Sequence, residues 1–380
     1  MKTIKISLLT LVLIFSVTLS FAQKLALANE TGKFGYINTS GEWHIEPQFK
    51  VAKNFSEDMA QASINGKKWG YINRKGEWVI EPKFKKTKAF NSGIAIVADD
   101  DGWMYINKKG ERVFSKLNIE KFYDFSEGLA PYRQGKLVGF IDTNGEIIVE
   151  PKYIKAFDFL NGYSKVRVGD KWGLIDKTGA YFVKPEYDGV SKVYNSNKVV
   201  TAKKGEQNGL IINNEFKVIE GAEKIWNFSI NSDLTYAKKG GKIGFINSKG
   251  EWVIKPKYDK ARAFRNGLAP VFANKSWGYI DNNGETIIPI QYRDAEIFSV
   301  DGLAPVKSEK FWGFMDKNGE MVIDEKYDIT AGGFSIFKKN NEKGFVNGLA
   351  RVKYKKSWGF INKEGKLLKN MWFKNLELFY

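Results

Sequence analysis

The chain has 380 residues, 43% of them hydrophobic and 27% charged, which is the composition of an ordinary globular protein. It has no cysteine, and this excludes disulfides, thiolate metal sites and thiol nucleophiles. The net charge of +17 favours anionic partners such as cell-surface polysaccharide, anionic lipid headgroups or extracellular nucleic acid. The lysines are spread along the chain, however, which also suits a strand-rich surface that must stay soluble and makes nucleic acid the least favoured partner.

Residues 1–22 have the pattern of a cleaved signal peptide. Lys2 and Lys5 form a basic start, an apolar run follows over residues 8–19, and small residues precede a predicted first mature residue at Gln23. Loss of the two lysines lowers the net charge from +17 to +15. We therefore expect an exported bacterial protein, periplasmic or extracellular, with no membrane-spanning helix after cleavage.

A glycine recurs about every 35 residues over the whole predicted mature chain, residues 23–380. The series is Gly35, Gly70, Gly139, Gly173, Gly209, Gly244, Gly278, Gly313 and Gly359, with Met104 in the third place. A fixed period of this size is typical of proteins built from stacked repeats, and it predicts ten units in one array rather than several unrelated domains.

Each unit contains a predicted hairpin. A second glycine lies six residues after the first in every unit except the sixth, and it follows an Asn or Asp and two further residues. This is the chemistry of a type I turn closed by a left-handed glycine. The flanking runs, such as "WGYI" and "EWVI", are rich in strand-forming residues.

The remainder of the unit predicts a third strand and a connection. Prolines follow the second hairpin strand in several units (Pro47, Pro82, Pro151, Pro185, Pro256 and Pro289). Because proline has no amide hydrogen, we expect it to end the ladder of that strand. A connecting segment with a further phenylalanine leads to "GLAPV" or a relative of it, so each unit is interpreted as three short strands and one connection.

The glycine is usually preceded by a large apolar residue, as in Trp277-Gly278. Side chains alternate across a strand, so Trp277 and Tyr279 point to one face and Gly278 to the other. A glycine within a strand is understandable where something large approaches the backbone. We expect an aromatic of a neighbouring unit, of the Tyr292 or Phe298 type, to pack over Gly278.

This pattern resembles the WG-repeat family of bacterial proteins, also called KWG repeats. Five units carry a literal Trp-Gly pair: Trp69-Gly70, Trp172-Gly173, Trp277-Gly278, Trp312-Gly313 and Trp358-Gly359. The resemblance covers residues 25–379 and implies a β-strand repeat, often in exported or surface proteins, with no general enzymatic activity. The third unit, with Met104, and the sixth depart most from the pattern.

The fold expected from these observations is all-β: ten tandem three-stranded units in an open twisted array, with a closed β-propeller as the alternative. The chain is divided into whole units, from the first strand near Leu25 to Phe379, and this favours the open array. The aromatic terminal segment "KNMWFKNLELFY" would then cap the stack or bind a partner.

The candidate catalytic and metal-binding residues all have structural explanations in the sequence. His44, the only histidine, occupies a strand position that holds Val79 and Val253 in other units. A glutamate after the turn glycine recurs (Glu42, Glu77, Glu111, Glu146, Glu251, Glu285 and Glu320), which predicts cross-strand pairing with lysine rather than acid catalysis. The aspartates that open the turns (Asp142, Asp176, Asp281 and Asp316) are expected to cap the backbone.

The acidic run Asp99–Gly102 lacks the spacing of a calcium loop and lies in a predicted turn. We therefore predict no catalytic residue, no cofactor site and no metal site. The clearest break in the period is an insertion of about eleven residues near 328–345; it is either a binding element or a passive loop. The basic and aromatic segment 353–370 follows it and suits a polyanion or glycan.

The function predicted from the sequence is that of a non-catalytic exported protein, monomeric, which presents an extended surface to a protein or a cell-envelope component. The alternative is a binder of anionic polysaccharide or another polyanion. A third reading is an enzyme with a site where strand ends converge.

Overall fold

The computed structural model describes residues 23–194, 197–229, 232–328 and 344–380. The predicted leader and residues 329–343 of the insertion lie outside these ranges. The described residues form 38 β-strands, and their one helix is a short 3-10 turn at Leu368–Asn370. No helix in these ranges is long and apolar enough to cross a bilayer.

The strands form ten small antiparallel sheets, which we number as blades 1 to 10. The first strands of the blades are β1 Leu25–Asn29, β5 Ala60–Ser63, β9 Ile94–Ala98, β12 Leu129–Gln134, β16 Tyr163–Val168, β20 Val200–Lys204, β24 Leu234–Lys239, β28 Ala269–Ala273, β32 Ala304–Lys307 and β36 Leu349–Tyr354. The second strands are β2 Phe34–Asn38, β6 Trp69–Ile72, β10 Trp103–Asn107, β13 Leu137–Asp142, β17 Lys171–Asp176, β21 Gln207–Ile212, β25 Lys242–Asn247, β29 Ser276–Ile280, β33 Trp312–Met315 and β37 Ser357–Ile361.

Nine blades have a third strand at one edge of the sheet: β3 Trp43–Phe49, β7 Trp78–Phe84, β11 Arg112–Val113, β14 Ile147–Tyr153, β18 Tyr181–Tyr187, β22 Glu215–Val218, β26 Trp252–Tyr258, β30 Thr286–Tyr292 and β34 Met321–Tyr327. Most of the connections contain a fourth, two-residue strand that pairs with the first strand of the next blade. These short strands are β4 Val51–Ala52, β8 Lys86–Thr87, β15 Lys155–Ala156, β19 Gly189–Val190, β23 Lys224–Ile225, β27 Lys260–Ala261, β31 Asp294–Ala295 and β35 Phe345–Val346. Most blades are therefore four-stranded, one strand more than the sequence predicted.

The chain closes on itself. The last strand, β38 Asn375–Phe379, pairs with β1 and supplies the fourth strand of blade 1. Leu25 and Tyr380 also exchange backbone hydrogen bonds of 3.0 and 3.1 Å. The all-β repeat prediction is confirmed, and the arrangement is the alternative one, a ten-bladed β-propeller; the favoured open array is wrong. In the other blades a connection supplies the fourth strand of the next blade. The terminal segment does the same for blade 1, because β38 pairs with β1.

The glycine after the tryptophan is required by the backbone of its own blade. The pairing of β29 with β30 shifts between Trp277–Tyr292 and Tyr279–Ile288, so β30 bulges opposite Gly278. A Cβ added at Gly278 would lie 2.7 Å from the carbonyl oxygen of Ile288. The expected covering by an aromatic of a neighbouring unit is therefore wrong, since the bulged strand occupies that place.

The prolines lie within these bulges. Pro82 is inside β7, between the residues that pair with Tyr71 and Trp69, and its nitrogen would be 2.8 Å from a Cβ at Gly70. The prediction that proline ends the ladder is wrong, because a bulge tolerates a residue without an amide hydrogen. In blade 3 the third strand has only two residues and no bulge, and this explains why Met104 is accommodated there.

Neighbouring blades pack through the second glycine of the repeat. Gly76, with a φ of +84°, lies against Ile45 of the preceding blade, and a Cβ added to it would be 3.0 Å from Ile45 Cγ2. The same contact closes the ring, because Gly41 of blade 1 lies against Leu368. The hydrophobic core is correspondingly divided into clusters that each join two adjacent sheets.

Candidate functional site

The residues singled out in the sequence serve mainly as structural links. His44 is exposed on β3, and its Nε2 donates to the backbone oxygen of Arg74 in the next blade, at 3.0 Å. Asp281 Oδ1 accepts hydrogen bonds of 2.9 Å from the amides of Asn283 and Glu285. The capping role predicted for the turn aspartates is confirmed by these contacts.

The repeated glutamates have different partners from those expected. Glu77 and Glu251 each accept a hydrogen bond of 2.8 Å from the asparagine that opens the same turn, Asn73 or Asn247. Glu42 does pair with a lysine, Lys369, at 3.1 Å, and hydrogen bonding to that lysine lowers the pKa of Glu42. In three of these turns, those of Glu77, Glu111 and Glu251, the glutamate side chain thus stabilises its own hairpin.

The acidic run lies in the turn between β9 and β10, where Asp99 Oδ1 accepts from the amide of Asp101 at 2.9 Å and Asp100 pairs with Lys85. Among the described residues there is no cluster of three or more His, Cys, Asp or Glu side chains suited to a metal ion. The insertion near 328–345 lies almost wholly outside the described residues. Segment 353–370 contributes β37 and the 3-10 turn to blade 10.

Several tryptophans of the repeat are paired with cations. Arg262 lies 4.7 Å from the Trp277 ring centre, Lys307 lies 4.6 Å from that of Trp312, and Arg351 lies 4.3 Å from that of Trp358. Each of these cations also has a carboxylate partner: Arg262 contacts Glu296 at 2.7 Å, Lys307 contacts Asp294 at 4.0 Å, and Arg351 contacts Glu377 at 3.8 Å. The sequence argument did not foresee this arrangement, because the cations come from several different repeat positions.

Blade 6 breaks the pattern and leaves a cavity. Asn208 occupies the position of the tryptophan, and its Nδ2 donates to the backbone oxygens of Ala222 and Glu223 at 3.1 and 3.2 Å. Beside it is a cavity of about 430 Å³, which we call the blade-6 pocket; its lining includes Phe157, Lys165, Lys192, Thr201, Lys203 and Asn208. Residues from blades 5, 6 and 7 meet there.

The blade-6 pocket is basic and aromatic. Lys165 lies 4.3 Å from the Trp172 ring centre, and Lys155 lies 5.0 Å from that of Phe157. Partial burial, together with the charges of Lys155 and Lys192, lowers the pKa of Lys165. The lysines of the pocket therefore repel one another in a partly desolvated space.

A second surface feature is a series of exposed aliphatic residues on the third strands. The second residue of the strand is 40 to 46% exposed in five blades: Val79, Ile148, Val253, Ile287 and Val322. Its successor in the strand is buried, as with Ile80 and Ile254, because side chains alternate across a strand. We call the five exposed residues the edge series, since each lies on an edge strand of its sheet.

The family model for the WG containing repeat matches eight segments: residues 34–67, 69–103, 103–137, 139–172, 172–206, 243–275, 277–310 and 312–342. These segments span well over half of the chain. The chain belongs to the WG-repeat family. The segment between 206 and 243 is not matched, and it contains the Asn208 side of the blade-6 pocket.

No curated protein matches the sequence. Among solved structures, a eukaryotic initiation factor is 13% identical with a TM-score of 0.49, over 94% of this chain and 98% of that one. BamB from Moraxella catarrhalis is 9% identical with a TM-score of 0.30, over 90% of each chain. AztD from Citrobacter koseri is 11% identical with a TM-score of 0.30, over 94% of this chain and 98% of that one. TM-scores this low carry no functional information for this chain.

Proposed function

We propose that this WG-repeat propeller is a non-catalytic, exported binding protein that presents an extended surface to a protein or cell-envelope partner. The observation that carries the proposal is the edge series, which places one exposed aliphatic side chain at the same position of five blades. Exposed apolar side chains on edge strands are groups that a partner can cover. The recurrent carboxylates are meanwhile engaged in turns, as for Asp281 and Glu77.

The binding proposal is tested by capture from envelope extracts with the mature chain as bait. In a test variant, Val79, Val253, Ile287 and Val322 are replaced by threonine, which keeps the β-branched shape. A control variant carries threonine at Ile64, Val168 and Val300, which are exposed to a similar degree outside the third strands.

A partner that is captured by the parent protein and the control variant, and lost with the test variant, supports the proposal. Equal capture by all three proteins, or capture of nothing above an uncoated matrix, contradicts it. Thermal unfolding of both variants checks that the folds are equivalent.

Export is tested separately. The proposal predicts that the protein recovered from its native host begins at Gln23 and is found in the periplasm or the medium. N-terminal sequencing of protein recovered from cell fractions measures both properties. Intact residues 1–22 on cytoplasmic protein would contradict the assignment.

The second candidate function is the binding of an anionic polysaccharide, and the blade-6 pocket favours it because lysines and aromatic rings meet there. Retention of the mature protein on a heparin-like matrix should then fall as salt rises, since charge pairing is screened. Retention that is indifferent to salt would remove this candidate and leave the first one untouched.

A further inference from the structure

We propose that the blade-6 pocket is a binding site for one sugar residue that carries a carboxylate, phosphate or sulfate group, with Lys165 and Lys192 as the main contacts to the anion. The inference rests on the second candidate function and names its site and its ligand chemistry. It is carried by the charge balance of the pocket, by its polar lining and by the way in which blade 6 departs from the repeat.

Three lysines of the pocket have no carboxylate partner in the part of the chain that the structure describes. Among the described residues, Lys165, Lys192 and Lys203 have no carboxylate within ion-pair distance, whereas Lys88, for example, pairs with Asp124 at 3.0 Å. Arg262, which occupies the position of Ser191 in a later connection, contacts Asp294 at 3.1 Å. The pocket therefore has three lysines without an ion-pair partner among the described side chains, and an oxyanion would supply one.

The acidic groups nearest to the pocket do not supply this neutralisation. Asp188 is held by Lys171 and by the amide of Gly205, which lower its pKa. Asp158 interacts with Lys192 over a longer distance, and desolvation raises the pKa of its carboxyl group. Among the described residues, the cavity is thus lined by three lysines and by no carboxylate residue.

The remaining lining suits a sugar ring. Thr201, Ser191 and Asn227 contribute hydroxyl and amide groups to the lining, and Phe157 contributes an aromatic residue. Ser191 Oγ accepts from the amide of Thr201 at 3.1 Å, so its hydrogen remains available to a ligand. A cavity of about 430 Å³ is within the range of small-molecule sites and is large enough for a mono- or disaccharide.

The pocket exists because blade 6 lacks residues that fill the same place elsewhere. Asn208 replaces the tryptophan, and Lys165 and Thr201 occupy a first-strand position that holds Pro270 and Pro305 in blades 8 and 9. Ser191 replaces the bulkier Trp226 or Arg262 of the following connections. These substitutions all line one cavity, which favours a binding site over unrelated sequence changes.

The site is tested by calorimetric titration of the mature protein with glucuronate, glucose 6-phosphate, glucose 6-sulfate and, as the neutral match, glucose. Inorganic phosphate and sulfate are titrated in parallel, so that an anion alone is distinguished from an anionic sugar. At least one acidic sugar should bind, glucose should not, and the free anions should bind more weakly than the sugar that carries them.

Two variants locate the binding. Replacing Lys165 and Lys192 by glutamine removes two charge-assisted contacts and should weaken binding by about tenfold or more. As the control, replacing Lys255 and Lys317 by glutamine lowers the net charge by the same amount outside the pocket. It should leave the affinity for the acidic sugar within about twofold of the parent value. The variant Asn208→Trp keeps every lysine but fills the cavity, and it should abolish binding while the protein stays folded.

Binding that is equal for the parent and the Lys165/Lys192 variant, or no binding of any acidic sugar, overturns the inference. So does binding of free phosphate or sulfate as tightly as of the corresponding sugar. If the Lys165/Lys192 variant keeps salt-sensitive retention on the heparin-like matrix, the second candidate function survives and only its assignment to this pocket fails.

Discussion

Blades 6 and 8 show what the repeat residues do and what their loss permits. In blade 8, Trp277 is buried next to Gly278, β30 bulges over the glycine, and Arg262 covers the ring. In blade 6, Asn208 stands in the place of the tryptophan, and β22 pairs with β21 in unbroken register. In blade 8 the bulge in β30, the Trp277 ring and Arg262 pack together. In blade 6, where all three are missing, the sheet still forms but a pocket is present beside Asn208.

The turns of the two blades differ in the same way. Blade 8 uses the Asp281–Gly284 turn, which Asp281 caps, whereas blade 6 joins its strands through Asn213 and Asn214, with φ values of +50° and +67°. Two consecutive left-handed residues form the two-residue turn that suits a regular hairpin. The missing second glycine of the sixth unit is therefore a change of turn type, not a failure of the hairpin.

The largest effect on stability is expected from Trp277→Asn, which places in blade 8 the asparagine that blade 6 has at the same position. It removes a buried indole and leaves Arg262 without its ring, so we expect a loss of about 4 kcal/mol in the free energy of unfolding. Urea titration followed by circular dichroism measures this loss. The control Asn208→Ala removes only the hydrogen bonds to Ala222 and Glu223 and should cost about 1 kcal/mol. Equal losses would mean that the tryptophan is not a packing residue.

A smaller effect is expected from Gly278→Val. The new Cβ would collide with the bulged backbone at Ile288 and Ile290, and displacing that backbone should cost about 3 kcal/mol. The unfolding free energy from the same titration tests this. Met104→Leu serves as the control, because blade 3 has no bulge at that place, and its loss should stay below about 1.5 kcal/mol. A tolerated valine at 278 would refute the role assigned to the bulge.

The smallest effect is expected from Tyr279→Phe. The buried Tyr279 hydroxyl donates to the backbone oxygen of Glu296 at 2.8 Å, a contact that blade 6 lacks because Leu210 takes the place of the tyrosine. Its removal should cost about 1 kcal/mol. Tyr292→Phe is the matched control, since the Tyr292 hydroxyl has only a 3.5 Å contact with Gln291. The two thermal midpoints should differ, with Tyr279→Phe the lower.

The sequence was sufficient to predict the ten-fold β repeat, the hairpin in each unit and the capping by Asp281, because these depend on residues a few positions apart. The group that packs over Gly278 was predicted wrongly, since the bulge in β30 depends on the pairing register between β29 and β30. Closure was also predicted wrongly: the strand pattern of 375–379 is the same in an open array and a ring.

The blade-6 pocket was accessible to sequence reasoning only in part. The sixth unit, which contains Asn208, was visible as a departure from the repeat, but the pocket residues Lys165 and Lys192 belong to different units and have no common spacing. Their convergence depends on the angle between adjacent sheets, which the order of residues does not state. The departures from the period were the useful clue, and only coordinates could show that they share one space.

The pairing of β1 with β38 also affects how the protein can assemble. Leu25 forms backbone hydrogen bonds with Tyr380, so blade 1 lacks its fourth strand until β38 pairs with β1. Intermediate blades need only their immediate neighbours in the polypeptide, and such local contacts form quickly. Closure of the ring, by pairing of β1 with β38, is thus the step with the longest chain loop to close.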